Sequence, residues 1–458
     1  MAVKEANAIM AMEALADGKI IQASLCQLSG AWLALVATGN GLKLACAYRG
    51  KCVPAEMFVS VRQAENTDGT LVLLMDLNAN NAAVVRRFVK WSAPCAQGAK
   101  GVSMAFTDRL GLAAPILAEA FKLRRARPVL VDYSLADSAA LGKNFLEAVD
   151  EATWGVLEVG YKNGYGANAV GLKTEEDIVK ALLYGYSMIG FDCTEKIDLE
   201  IEQLSDEEVA KRFNSFPEEF RYALTESYLK AEFKAGDYIV SFTESELQRM
   251  VLEYGEAIMH IQFLYTSYLK NTPWDIDFEL NLTKNDKLMT AQEQYFLSNE
   301  LQRNGIKFAA LVVDGHKMAE STDMLSKFGA IADVFGYRLS ILNADSSFAD
   351  LSVINKALNG KAYLKLGSAL WLAAMQVVAE KNSELFASIR AYKNLPEASI
   401  AELLPALETA QVWSSVEIDI LTAKEQNFAE AIKTVLGANK EAYAAAINKL
   451  LAGVFAAI

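Results

Sequence analysis

Between residues 20 and 80 apolar and polar positions alternate in short runs, such as Trp32-Leu33-Ala34-Leu35-Val36 and Thr70-Leu71-Val72-Leu73-Leu74. Gly39-Asn40-Gly41 and Asp68-Gly69 punctuate these runs. A period of two broken by such dipeptides predicts β-hairpins, and hence a small β-rich N-terminal subdomain over residues 1–99. From about residue 100 the rhythm changes. Short apolar runs are separated by longer stretches of helical period, the pattern of βα units and a parallel sheet. The predicted strands are Val102 to Phe106, Pro128 to Tyr133, Ala169 to Leu172, Ser187 to Asp192, Ile276 to Leu282, Lys307 to Val313, Arg338 to Leu342 and Ala362 to Leu366. Eight is the number that a closed (β/α)8 barrel needs. An open doubly wound sheet fits the same periodicity.

Helix starts are written between the strands. Thr174 with Asp177, Ser205 with Glu208, Thr243 with Glu246 and Thr422 with Glu425 match the capping-box pattern, in which two side chains satisfy the first free backbone amides. The interval 195–271 is far longer than one crossover and predicts a helical insertion in a barrel spanning 100–395. Residues 371–458 read as helical almost throughout, with Gly437 as a stop and Asn439 as a restart, and 396–458 form a helical C-terminal extension. The Ala-rich segment Asn439 to Ile458 suits packing on its own barrel or on a neighbouring copy, which leaves homo-oligomerisation open.

Composition narrows the class. With 52% hydrophobic residues, 22% charged and 8 prolines among 458 residues, the chain has enough apolar mass for an ordered core. Its net charge of -13 repels phosphate backbones and anionic lipid heads, so no nucleic-acid partner and no membrane partner is expected. The five cysteines, Cys26, Cys46, Cys52, Cys95 and Cys193, lack paired spacing and are odd in number, which fits a reducing cytoplasm. The first residues carry no basic segment followed by an apolar run, so no signal peptide is expected.

In a barrel of this kind chemistry projects from the carboxyl ends of the strands. Those ends carry Asp108 and Arg109 after the first strand, and Asp132, Tyr133 and Ser134 after the second. Lys173 and Asp192 follow the third and fourth, Glu279 lies in the fifth, and Asp314 and His316 follow the sixth. Asn343 and Asp345 come after the seventh and Lys365 within the eighth. The fork of Arg109 suits a carboxylate or a loop anchor. A desolvated strand-end lysine, Lys173 or Lys365, suits Schiff-base chemistry or a structural ion pair. Gly164-Tyr165-Gly166-Ala167-Asn168-Ala169 has dinucleotide-type glycine spacing but precedes a strand instead of following one, so it is discounted.

The order Asp108-Arg109-Leu110-Gly111-Leu112-Ala113, Asp150-Glu151-Ala152-Thr153-Trp154-Gly155-Val156, then Gly166-Ala167-Asn168 and Leu172-Lys173-Thr174-Glu175-Glu176-Asp177-Ile178 resembles the tagaturonate epimerase family. Similarity runs from about residue 75 to 390. The resemblance favours the TIM-type barrel and implies interconversion of keto-hexuronates that differ at the carbon β to the ketone. That hydrogen is not acidified by the carbonyl, so retro-aldol cleavage and re-addition is the economical route, with a divalent metal implied as Lewis acid.

The chain departs from the family where ligands are due. Gly171 stands where a histidine is usual, Thr283-Lys284 where an Asp-Glu pair is, Leu342 and Ser346-Ser347 where a histidine and an Asp-Lys pair are, and Tyr363 where another histidine is. Only His260 and His316 occur in the whole chain. His260 sits in a helical pattern and His316 in a loop, and both read as structural or solvated. No metal ligand is therefore assigned. The expectation is a diverged member that binds a sugar acid or related carbohydrate through Asp108, Arg109, Ser134, Asp192, Glu279, Asn343 and Asp345. The alternative is an active epimerase, using replacement metal ligands such as Glu279, Asp192, Asn343 and Asp345, or Lys173 or Lys365 as a catalytic Schiff-base lysine.

Overall fold

The computed structural model describes residues 3–284, 287–347, 351–395 and 407–458. The expected start of the C-terminal extension at residue 396 lies outside the described residues. At the N-terminal end, strands run in the order Gly18–Ile20, Ala31–Thr38, Gly41–Tyr48, Leu71–Met75, Arg62–Glu65, and Cys26–Leu28 pairs off this path with Ala31–Thr38; all pairings are antiparallel. Alternation serves both faces. Leu33 and Leu35 pack with Val84 and Val85 of helix Ala79–Phe88, whereas Ala34 and Val36 pack against Ala8 and Met12 of helix Glu5–Ala16. Arg86 ties this layer to the next by bonding Asp150 at 2.6 Å and Thr153 at 3.0 Å.

The barrel strands are β1 (Ser103–Phe106), β2 (Arg127–Ser134), β3 (Gly166–Leu172), β4 (Met188–Asp192), β5 (Asp277–Asn281), β6 (Ala310–Asp314), β7 (Arg338–Leu342) and β8 (Ala362–Leu366). They close into one parallel ring, β8 pairing with β1. This is the (β/α)8 barrel. Each strand falls where the apolar pattern predicts one, but β3 begins three residues earlier, at Gly166.

Between β4 and β5 lie helices Asp206–Phe213, Glu218–Tyr228 and Glu244–Leu264, together with a two-stranded hairpin, Phe233–Ala235 with Tyr238–Val240, that the helical reading of this interval did not include. The capping boxes at Thr174, Ser205 and Thr243 form. The one expected at Thr422 does not. Thr422 closes helix Glu417–Leu421, its hydroxyl bonding back to the Ile418 carbonyl at 2.8 Å, and the next helix starts at Phe428 after Asn427 in the left-handed region. Gly437 lies inside that helix, which ends at Ala438.

The terminal helix Lys440–Ala457 packs on its own barrel, against helices Ala369–Lys381 and Ala114–Phe121, with Phe455 edge-on to Phe121 at 5.0 Å. Helices Leu407–Ser415 and Glu417–Leu421 form a strap over part of the carboxyl rim. Gln411 donates to the Ser346 carbonyl at 2.9 Å, Trp371 to the Trp413 carbonyl at 3.0 Å, and Glu417 reaches Arg109. Among the described residues no helix is long and apolar enough to cross a membrane.

Candidate functional site

Strand parity puts Tyr363 and Lys365 of β8 on the same side, and both point into the barrel. The Lys365 ammonium lies 2.9 Å from Glu279 of β5 and 3.4 Å from Asp132 of β2. The Asn168 amide of β3 donates to both carboxylates, at 2.9 Å and 3.1 Å, and the Tyr363 hydroxyl donates to Asp132 at 3.2 Å. Gly190 of β4 makes room. A Cβ there would stand 3.1 Å from both the Ala169 carbonyl and the Glu279 carboxylate. Beneath this group Arg338 stacks 5.3 Å from the Tyr363 ring and bonds Ser103 at 2.8 Å.

The cluster is dry: Glu279 is 1% exposed, Lys365 4% and Asn168 0%. Burial raises the Asp132 carboxyl above the usual range against the pull of Lys365. For Lys365 burial acts the other way, lowering its pKa, yet the two carboxylates outweigh it and the net direction is upward. Lys365 is thus a protonated ammonium at neutral pH. Glu279 Oε1 and Asn168 Oδ1 have no partner among the described residues.

Of the residues singled out from sequence, Asp132, Glu279 and Lys365 meet in this cluster; the remaining candidate binding residues occupy separate places on the rim. Lys173 is half-exposed, paired with Glu195 and 4.0 Å from Asp192. Asp192 accepts from the Thr194 amide and hydroxyl at 3.1 and 2.7 Å. Asp108 accepts from the backbone of Gly111 at 2.9 Å and Ala113 at 2.6 Å, holding the turn after β1.

Arg109 is bound at 2.7 Å on each side by Asp137 and Glu417. Ser134 caps helix Leu135–Leu141, accepting from the Asp137 amide and donating to its carboxylate. Asn343 turns the chain in the left-handed region, and the half-buried Asp345 accepts from Ser368 N at 3.0 Å and Oγ at 2.8 Å. Burial pushes the Glu417 carboxyl up to about 8 despite Arg109.

Sequence reasoning did not assign Asn168, Tyr363 or Glu417. Inward parity in β3 and β8 was the available signal for the first two. Glu417 had none, since its partner lies 308 residues away.

The divalent metal that the resemblance implies does not fit the residues present. Gly171 has φ +76° at a bulge of β3 against β4, a backbone that a histidine would adopt only under strain. Lys284 is buried among Glu253 at 2.5 Å, Glu293 at 2.6 Å and Glu202 at 3.1 Å. In the interior an ammonium already lies between the two carboxylates. Among the described residues no group of three or more His, Cys, Asp or Glu is arranged to hold a metal ion.

Comparison with known proteins adds the lineage. A sequence model of the family described as tagaturonate epimerase matches residues 21–402. The tagaturonate/fructuronate epimerase of Thermotoga maritima is 26% identical over 343 residues, covering 72% of this chain and 70% of that protein. The native crystal structure of fructuronate-tagaturonate epimerase UxaE from Cohnella laeviribosi superposes with a TM-score of 0.83 at 25% identity, covering 98% of each chain. Its one-glycerol complex gives 0.84 at 24%, with the same coverage.

Proposed function

The chain belongs to the tagaturonate epimerase family, and on that premise we propose that it is a diverged member which binds a sugar acid or related carbohydrate and does not carry out metal-dependent epimerisation. The observation that carries this reading is the Lys365 ammonium held between Glu279 and Asp132. A divalent cation entering there would have to displace a buried, doubly paired charge. The same pairing weighs against Schiff-base chemistry, because a protonated amine is no nucleophile and Lys173, the other candidate, is open to water.

A polar hollow of about 510 Å³ beside the ends of β4 and β5, lined by Thr194, Glu195, Lys196, Asp198 and Thr283, offers hydroxyls, carboxylates and an ammonium to a polyol. Five cysteines without a disulfide suit a reducing cytoplasm.

The test combines metal analysis of protein purified without added metal, an assay of tagaturonate–fructuronate interconversion with zinc, manganese or nickel, and calorimetry with both sugar acids. Substoichiometric metal, no interconversion and a saturable heat with a sugar acid are expected. Turnover, or metal near one equivalent, would replace this reading with an active epimerase; absence of any heat would remove the carbohydrate from it.

A further inference from the structure

A protein holds an anion with an unneutralised positive group, either a side-chain cation or the free amides at a helix start. At the barrel mouth the chain's own acceptors already take both kinds. Arg109, Lys173, Lys284 and Lys365 have the carboxylate partners given above. Lys196 lies 2.7 Å from Glu256, and Lys287 lies 2.6 Å from Glu202. Lys143, over the Tyr133 ring at the end of β2, is paired with Glu151. Lys317 stands 4.0 Å from Asp314 and donates to the Lys284 carbonyl at 3.1 Å. The strap helices contain no lysine or arginine, and neither do residues 285–286 and 348–350.

The backbone amides are taken in the same way. Asp108 holds two of them after β1, Ser134 caps the helix after β2, and Asp192 holds the Thr194 amide after β4. After β3, Thr174 and Asp177 cap helix Glu175–Leu183. After β5, Asn281 accepts from the Thr283 amide at 3.1 Å, and after β6, Asp314 accepts from the Lys317 amide at 3.1 Å. The loops after β7 and β8 are where many barrels of this type seat a ligand phosphate. Here the Asp345 carboxylate of one loop sits on the Ser368 amide and hydroxyl of the other. The charge left over is negative: the polar hollow at the ends of β4 and β5 sets Glu195, Asp198, Glu200 and Glu256 against Lys196 and Lys284.

We propose, resting on the carbohydrate reading above, that the barrel mouth selects an uncharged sugar or polyol over a sugar acid. A ligand carboxylate would have to displace one of the chain's own from its cation or amide, and it would meet a surplus of like charge. A hydroxyl meets neither obstacle. It donates to a carboxylate without breaking the ion pair already there, because each carboxylate offers about four acceptor positions.

The probes are D-tagatose and D-fructose, which carry an alcohol where tagaturonate and fructuronate carry the carboxylate. All four are titrated calorimetrically into the full chain at neutral pH. Each ketose is expected to bind at least about tenfold more tightly than its acid. Raising the salt from about 20 to about 200 mM should narrow that ratio, since screening relieves the repulsion of the acid. Glu195→Gln, at an exposed position, leaves Lys173 without its nearest carboxylate and should narrow the ratio about threefold, as fits a solvated pair. Acids that bind as tightly as the ketoses or more tightly, or a ratio that neither salt nor Glu195→Gln moves, would overturn the proposal and leave the carbohydrate reading standing. No heat from any of the four would remove both.

Discussion

Lys365 and Lys173 both stand near the carboxyl ends of barrel strands, yet one is a buried ammonium between two carboxylates and the other a solvated rim charge. A lysine near a strand end therefore says little by itself about its use. What separates them is direction. Lys365 shares the inward parity of Tyr363, whereas Lys173 follows the bulge at Gly171 and emerges beyond the last residue of β3. The interior is a closed electrostatic unit whose members depend on one another; the rim is a set of local ties, each with its own turn or helix to hold.

The comparison breaks most readily at Lys365. Lys365→Met leaves Asp132 and Glu279 buried without their cation and is expected to cost about 3–5 kcal/mol in urea denaturation. Adding Glu279→Met should recover more than half, since Asp132 keeps Asn168 and Tyr363 as donors. A single-variant loss below about 1 kcal/mol would show that the interior is not an interdependent unit.

Next comes the strap, through pH. Glu417 has a folded pKa raised to about 8 from an ordinary value of 4.5, so the stability it contributes is complete below the ordinary value and is lost as pH rises through the folded one. Wild type should therefore lose on the order of 2 kcal/mol relative to Glu417→Gln between pH 5 and 8. Parallel stability curves for the two proteins would contradict this.

Asp108→Ala should cost about 1–2 kcal/mol by freeing the two backbone amides that it holds. Its melting midpoint should fall accordingly. Smallest of all, Lys173→Ala should leave the melting midpoint in place, because its pairs are exposed and screened; a clear drop would make the rim as interdependent as the interior.

The barrel was legible because buried parallel strands read as apolar runs, and β7 and β8 match the expected limits residue for residue. β3 was read short because Asn168, an inward polar residue, interrupts its apolar run. The insertion's hairpin escaped because its strands are three residues each. The capping pattern at Thr422 misled because a Thr near a helix end bonds equally well back to a carbonyl.

In the site, Asp132, Glu279 and Lys365 carried a readable charge on a predicted strand. Tyr363 read as an absent histidine, when it is a hydroxyl donor to Asp132. Their partnership is a property of ring closure, which places β5 across from β8, and no local pattern contains it.

The Arg109–Glu417 tie also sets an order of events during synthesis. Every barrel strand leaves the ribosome before Glu417 exists, and the 308 residues that separate the two partners take about 15–60 s to translate at ordinary rates. A nascent barrel therefore passes through a stage in which its ring is complete and Arg109 has Asp137 alone. Closing so long a loop adds little entropic cost beyond that of a much shorter one. The rim's final shape is thus a late, separable step, carried by residues that follow the barrel in the chain.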